Sequence, residues 1–335
     1  MPVERRRLLG AMAATAAGTL ATPAVAQSRV RLTASTLWPE ADAGPGAMVP
    51  RLARRMDVLS GGQIQLEATQ ITNPGLDAYA EVARGDVSVC FANEEDWLDL
   101  NPAYGLFCGS PFGMTADEFE GWIYFGDGEN VWARLAAESG VKPMLVGDMG
   151  LIPTMTDKQE QDLTALSGQT ARATGFAARF WETMGVKIDA QSNTLVDDPD
   201  IGSFANSGPD MRVLSPSVSR PHYALSANFN IPAFEALSEE HKGLVQLAIR
   251  GEHMAQRIDA ENAKRQVVAT PAVNVSDLVS TQMALAAKEL LSTIDDAGAV
   301  ARDVFWSHQL HLEDARAWSE IGEGAYLTKR HGNAG

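Results

Sequence analysis

The spacing of apolar residues changes several times along the chain, and each change marks an element. From Arg29 to Leu37, Val30 and Leu32 alternate with Thr and Ala positions as in a half-buried strand, which ends at Leu37-Trp38-Pro39. After the loop Ala43-Gly44-Pro45-Gly46, Met48, Leu52, Met56 and Leu59 recur at helical spacing, with Arg51, Arg54 and Arg55 outward. Ser60-Gly61-Gly62 stops that helix, and Ile64 and Leu66 alternate again over Gln63–Ala68. Leu76–Arg84 reads as a short helix, Gly85-Asp86 as a turn and Val87–Phe91 as a third strand. This β-α-β-α-β order predicts a parallel sheet with helical crossovers.

Thr115–Ser139 carries Phe119, Trp122, Ile123, Trp132 and Leu135 and is expected as one helix, followed by a strand over Lys142–Gly147. A second α/β unit begins with the Gly168 turn, a strand through Ala171–Ala173 and a helix over Ala177–Met184. From Asp197 to Arg220 the sequence is irregular, and Asp197-Asp198-Pro199-Asp200, without the spacing of a calcium loop, reads as a polar loop. Ser238–Lys264 is a long helix, Val267–Val275 a strand, Asp277–Ile294 a helix, and Val300–Leu327 a further helix or helix pair.

The first residues read as an address. Arg5-Arg6-Arg7, the mild apolar run Ala11–Ala21 and the small-x-small end Ala24-Val25-Ala26 form a cleavable export signal, residues 1–26. The paired arginines favour the twin-arginine route and a periplasmic location. The whole chain of 335 residues carries 27 Lys+Arg and 43 Asp+Glu; removing the signal leaves 24 and 42. Such an acidic balance argues against a nucleic-acid partner, which needs surplus positive charge to displace counterions. Nothing after residue 27 offers the roughly 18 consecutive apolar residues of a membrane span. Two cysteines, Cys90 and Cys108, in apolar settings are expected as buried free thiols rather than a disulfide framework.

Enzyme signatures are mostly absent: there is no GxSxG, HExxH, GxxxxGK[ST] or post-strand GxGxxG. His308, His311 and Glu313 read as a solvated helix face rather than a metal site, and no Cys/His ligand cluster is present. No catalytic residue, cofactor or metal is therefore assigned.

A series of segments carries a resemblance. Ser60-Gly61-Gly62, Ala83-Arg84-Gly85-Asp86-Val87, Ser110-Pro111-Phe112-Gly113-Met114-Thr115 and Phe125-Gly126-Asp127-Gly128 with Trp132 come first. Gly147-Asp148-Met149-Gly150, Leu166-Ser167-Gly168-Gln169-Thr170-Ala171-Arg172 and Trp318-Ser319 with Tyr326-Leu327 follow. In order and spacing they resemble the solute-binding proteins of tripartite ATP-independent periplasmic (TRAP) transporters, in the branch that binds 2-oxo acids and similar carboxylates. The likeness runs over roughly residues 29–330. It implies an α/β, two-domain fold with mixed sheets, a ligand cleft between the domains and a helical C-terminus. The implied domains are discontinuous: 27–148 plus 225–265, and 149–224 plus 266–330. The implied partners are a small organic acid and the transporter's membrane subunits, with a homodimer left open. A carboxylate-binding protein that serves a sensor or has no transport partner, or an exported enzyme, are the competing readings.

The resemblance places the family's carboxylate-binding arginine at Arg172. A guanidinium offers two parallel N–H donors matched to a carboxylate, though an arginine here can equally pair with a neighbouring acid. Trp38 and Asn93, at the carboxyl ends of the first and third strands, sit where α/β proteins take ligands, and Trp38 can equally be core. Where relatives carry an adjacent Glu-Trp pair that holds a metal ion or the ligand, this chain reads Arg212-Val213-Leu214-Ser215-Pro216. With Arg212 in place of the acid, a cation bridging the ligand is not expected. Either two arginines, Arg172 and Arg212, hold a more anionic ligand, or the pocket has lost the family's specificity.

Overall fold

The computed structural model describes residues 29–41, 44–71, 76–159, 163–199 and 210–332; the expected export signal lies outside them. Strand β1 (Val30–Thr36) leads through helix α1 (Pro45–Leu59) to β2 (Ile64–Gln70), and through α2 (Leu76–Arg84) to β3 (Val89–Ala92). Two 3-10 turns, Glu94–Trp97 and Pro102–Phe107, precede α3 (Ala116–Phe125), α4 (Gly128–Ala137) and β4 (Val141–Asp148). There follow β5 (Met155–Thr156), β6 (Thr170–Ala173), α5 (Gly175–Thr183), β7 (Lys187–Ile188), β8 (Leu195–Asp197) and β9 (Arg212–Ser215). Then come β10 (Ala224–Asn230), α6 (Ile231–Glu235), α7 (Glu239–Val267), β11 (Ala272–Asn274), α8 (Asp277–Asp295), α9 (Ala299–Ile321) and α10 (Glu323–Gly332).

The strands form two mixed sheets. One runs β2-β1-β3-β10-β4 and the other β11-β9-β5-β8-β6-β7. The expected parallel triplet β1–β3 is present, and β10 joins it antiparallel to both β3 and β4. The chain passes between the sheets three times, after β4, after β9 and after α7. Two of these passages lie side by side: the Met149 N–H donates to Tyr223 O at 3.0 Å and the Ile152 N–H to Arg220 O at 3.0 Å.

Helix α7 covers β4 and α1 on the first sheet, where Met48, Leu52, Met56, Leu225, Phe229, Val245 and Ile249 build one core. The other core is continuous across both sheets, from Cys90, Trp97 and Phe107 to Ala171, Phe176, Phe180 and Leu214. Helix α9, drawn from the second half of the chain, packs against α4 and the turn Pro102–Phe107 as well as against α8. Cys90 and Cys108 are buried free thiols, and burial pushes Cys90 up to about 12.

Three expectations change. The segment 115–139 is two helices because Phe125-Gly126-Asp127 breaks it; a Cβ at Gly126 would meet Trp122 O at 2.8 Å. His308 is not on a solvated face: it is 1% exposed, packs edge-on to Trp122, and burial pushes its imidazole down to about 3. Asp197 is not in a polar loop but ends β8, fully buried. No helix among the described residues is long and apolar enough to cross a membrane.

Candidate functional site

Ligands of α/β proteins collect at the carboxyl ends of strands, and here the ends of β3, β6 and β8 face one another. Asn93 starts the turn after β3. Its Oδ1 accepts from the Glu95 N–H at 2.9 Å and its Nδ2 donates to Ala224 O at 2.5 Å, so the amide fixes both the turn and the start of β10. That turn delivers two acids of different fate. Glu94 is buried beneath the sheet against Asn228, while Glu95 points toward α5.

Arg220, in the passage from β9 to β10, is 1% exposed and fills the space between the strand ends. Its Nε donates to Asp197 Oδ1 at 3.0 Å and its Nη1 to Glu95 Oε2 at 2.5 Å. Its Nη2 donates to Thr174 O at 2.7 Å and to Thr174 Oγ1 at 3.2 Å. Trp181 Nε1 donates to the other Asp197 oxygen at 2.8 Å, and Tyr223 OH to Glu95 Oε1 at 3.3 Å. Burial works against the guanidinium's charge, but Glu95 and Asp197 outweigh it and raise its pKa. Burial pushes Asp96 up to about 7, with the charge of Glu95 adding to the effect. Alongside, Asp148 ends β4 with Oδ2 3.0 Å from His222 Nδ1 and Oδ1 accepting from the Gly150 N–H at 2.7 Å. Burial opposes its ionisation, yet His222 and the Gly150 N–H hold the carboxyl below the ordinary range.

Arg172 lies on β6, as expected. Register separates it from Arg212. Arg172 pairs with Val196, Val196's neighbour across is Met155, and Met155 pairs with Val213, so these four share one face of the sheet. Arg212, one residue before Val213, projects to the opposite face, with Ala171, Leu195 and Leu214, which are core. Its Nη1 donates to Asp210 O at 2.7 Å. The two arginines are therefore not brought together around one ligand. The Arg172 face carries Met155 and Val196, buried yet outside both apolar cores. A third of the Arg172 side chain is exposed; its Nε is 3.8 Å from Asp198 Oδ2 and makes no hydrogen bond among the described residues. Trp38, just past β1, is half-buried against the core under α7.

Sequence reasoning missed Arg220, Glu95, Asp197 and Thr174. The signal was there in part: Glu94-Glu95-Asp96 and Asp197-Asp198 are acids placed directly at strand ends.

No protein-family model matches the chain. A stretch of 162 residues is 23% identical to a monocarboxylate 2-oxoacid-binding periplasmic protein of Nostoc sp., covering 48% of this chain and 44% of that protein. The match thus spans under half the length of this curated relative. The fold extends much further. A TRAP periplasmic solute-binding protein of Colwellia psychrerythraea, solved with calcium and pyruvate, superposes with TM-score 0.78 at 17% identity, over 90% of this chain and all of that one. One from Bordetella bronchiseptica, a dimer with calcium and picolinate, gives 0.80 at 17% over 91% and 98%. One from Pseudoalteromonas atlantica, with sodium and pyruvate, gives 0.76 at 17% over 90% and 99%. The chain has the two-domain α/β fold of TRAP solute-binding proteins.

The ions in those relatives raise the question of a metal here. Hard cations take carboxylate, carbonyl and hydroxyl oxygens. The oxygens of that kind gathered at the strand ends are already occupied: Arg220 engages Glu95 Oε2, Asp197 Oδ1 and both Thr174 oxygens, while Tyr223 and Thr174 hold Glu95 Oε1 and Trp181 holds Asp197 Oδ2. This donor set is filled by side chains and does not fit a metal ion as it stands.

Proposed function

We propose that the chain is an exported solute-binding protein that captures a small organic carboxylate, of 2-oxo or hydroxy acid type, between its two lobes. It would hand that solute to the membrane subunits of a TRAP transporter. The observation that carries this reading is Arg172: a side chain one-third exposed on the strand-end face outside both cores, whose Nε makes no hydrogen bond among the described residues and lies 3.8 Å from Asp198 Oδ2. A carboxylate on this fork gains two charge-assisted bonds in a place that lobe closure shields from water. Relatives of the same fold were solved with pyruvate or picolinate, and the curated relative is named for 2-oxoacid binding, which supports the substrate class. Those relatives are binding proteins, so the chemistry is capture without turnover.

The lobes would divide near 27–148 plus 225–265 and 149–224 plus 266–330, a division supported by the membership of the two sheets. Delivery to the periplasm would run through the twin-arginine route, with the mature protein starting at Gln27. Changing Arg5 and Arg6 to lysine should abolish that export, and undiminished export would refute the route. The ligand class is tested by calorimetric titration of the mature chain with pyruvate, other 2-oxo acids, hydroxy acids and dicarboxylates. Saturable binding of the first groups supports the reading; binding of none of them overturns it.

A further inference from the structure

The space between the strand ends is a cation seat in everything but its occupant. Two buried carboxylates, Glu95 and Asp197, a main-chain carbonyl and a hydroxyl, both of Thr174, converge on one point from both sheets. Thr174 Oγ1 also donates to Glu95 Oε1 at 3.0 Å, and a Cβ on Gly175 would collide with that carboxylate at 2.2 Å, so the wall is tightly closed. Carboxylates buried this deeply require a counter-charge. The occupant is a guanidinium, always protonated and attached to the passage that joins β9 to β10.

We propose that Arg220 is the resident cation of this seat. A covalently held guanidinium ties the carboxyl ends of β3, β6 and β8 together, and the protein needs no metal ion there. This goes beyond the capture reading and holds whatever the solute is. It has a chemical corollary. Removing the guanidinium leaves an oxygen cage with two negative charges, and that cage takes a hard cation.

The test uses Arg220→Ala and terbium, whose emission is sensitised by a nearby indole; Trp181 is hydrogen-bonded to the seat through Asp197. The wild-type chain should give no indole-sensitised terbium emission and should melt at the same temperature in chelator and in millimolar calcium. Arg220→Ala, purified in calcium, should emit, melt higher in calcium than in chelator, and lose about tenfold or more in terbium affinity when Glu95→Gln is added. Emission from the wild type as strong as from the variant would overturn the proposal. So would a wild-type melting temperature raised by calcium, or an Arg220→Ala chain that is silent toward terbium. An Arg220→Ala chain that folds only with calcium supports the proposal, and one that is unfolded with and without calcium refutes it.

Discussion

Glu94 gives a pH dependence whose sign is opposite to that of most buried acids in ion pairs. It is 1% exposed; its Oε1 accepts from Asn228 Nδ2 at 3.2 Å, and its Oε2 meets no donor among the described residues. An ionised carboxylate with an unpaired oxygen is costly in such a place, and a proton on Glu94 removes that charge. Burial pushes the carboxyl from 4.5 up to about 8, only partly offset by Ser226, Asn228 and Trp132, and Asp96 adds to the rise. Between these two values the folded chain holds a proton that the unfolded chain has released. Stability therefore falls as pH rises through this window, and the loss is complete above about 8. At about 1.4 kcal/mol per pH unit the full loss is on the order of 5 kcal/mol. Glu94→Gln keeps the shape and supplies a permanent donor. Urea unfolding of both proteins at a series of pH values should give similar stabilities near pH ~5 and a variant advantage of several kcal/mol at pH ~8.5. A difference that stays flat across the range would refute a neutral Glu94.

Gly109→Ala should destabilise by more than about 3 kcal/mol in urea, because its φ is +103° and a Cβ would sit 2.0 Å from His222 O. Gly168→Ala, at φ +84° with nothing within 4 Å of its Cβ, should cost only about 1 kcal/mol, and equal losses would contradict the steric argument. Phe107 stacks between Trp122 at 5.1 Å and Trp132 at 4.9 Å; Phe107→Ala should cost about 3–5 kcal/mol by the same assay. With Arg220 in the cation seat, adding calcium or sodium to a chelator-treated chain should leave the solute Kd within about twofold; tightening by more than about tenfold would show that an ion takes part.

The legible parts of the chain were those whose apolar pattern matched a single buried face. Strands β1 and β2 and helices α1, α2 and α8 obey that rule, whereas β3 is buried at all four positions and α7 exposes Leu247, Met254 and Ile258 while burying Glu252 and Gln256. Strand β10 does not obey it either, although it is central and buried at all seven positions. Ser226, Asn228 and Asn230 alternate with Leu225, Ala227 and Phe229, and the polar face is buried too, against Glu94 and the carbonyls of Ala92 and Val82. A polar face satisfied internally looks in sequence like a surface. Asp197 misled for the same reason. The placement of Arg172 on a strand was legible because it depends on one local element, and the resemblance singled it out. Arg220 was not, since its partners Glu95 and Asp197 stand 125 and 23 residues away and meet it only once both sheets have formed.

The central claim, that Arg172 anchors the solute's carboxylate, is tested most directly by titrating pyruvate into the mature chain and its Arg172→Ala variant by calorimetry, and by melting both without ligand. Loss of a bidentate charge-assisted pair should weaken binding by roughly two to three powers of ten, with Arg172→Lys recovering only part of it. The ligand-free melting temperature should barely move, because the side chain is a third exposed and its Nε bonds to nothing among the described residues. A variant that binds as tightly as the wild type but melts markedly lower would make Arg172 a structural partner of Asp198 and contradict the account.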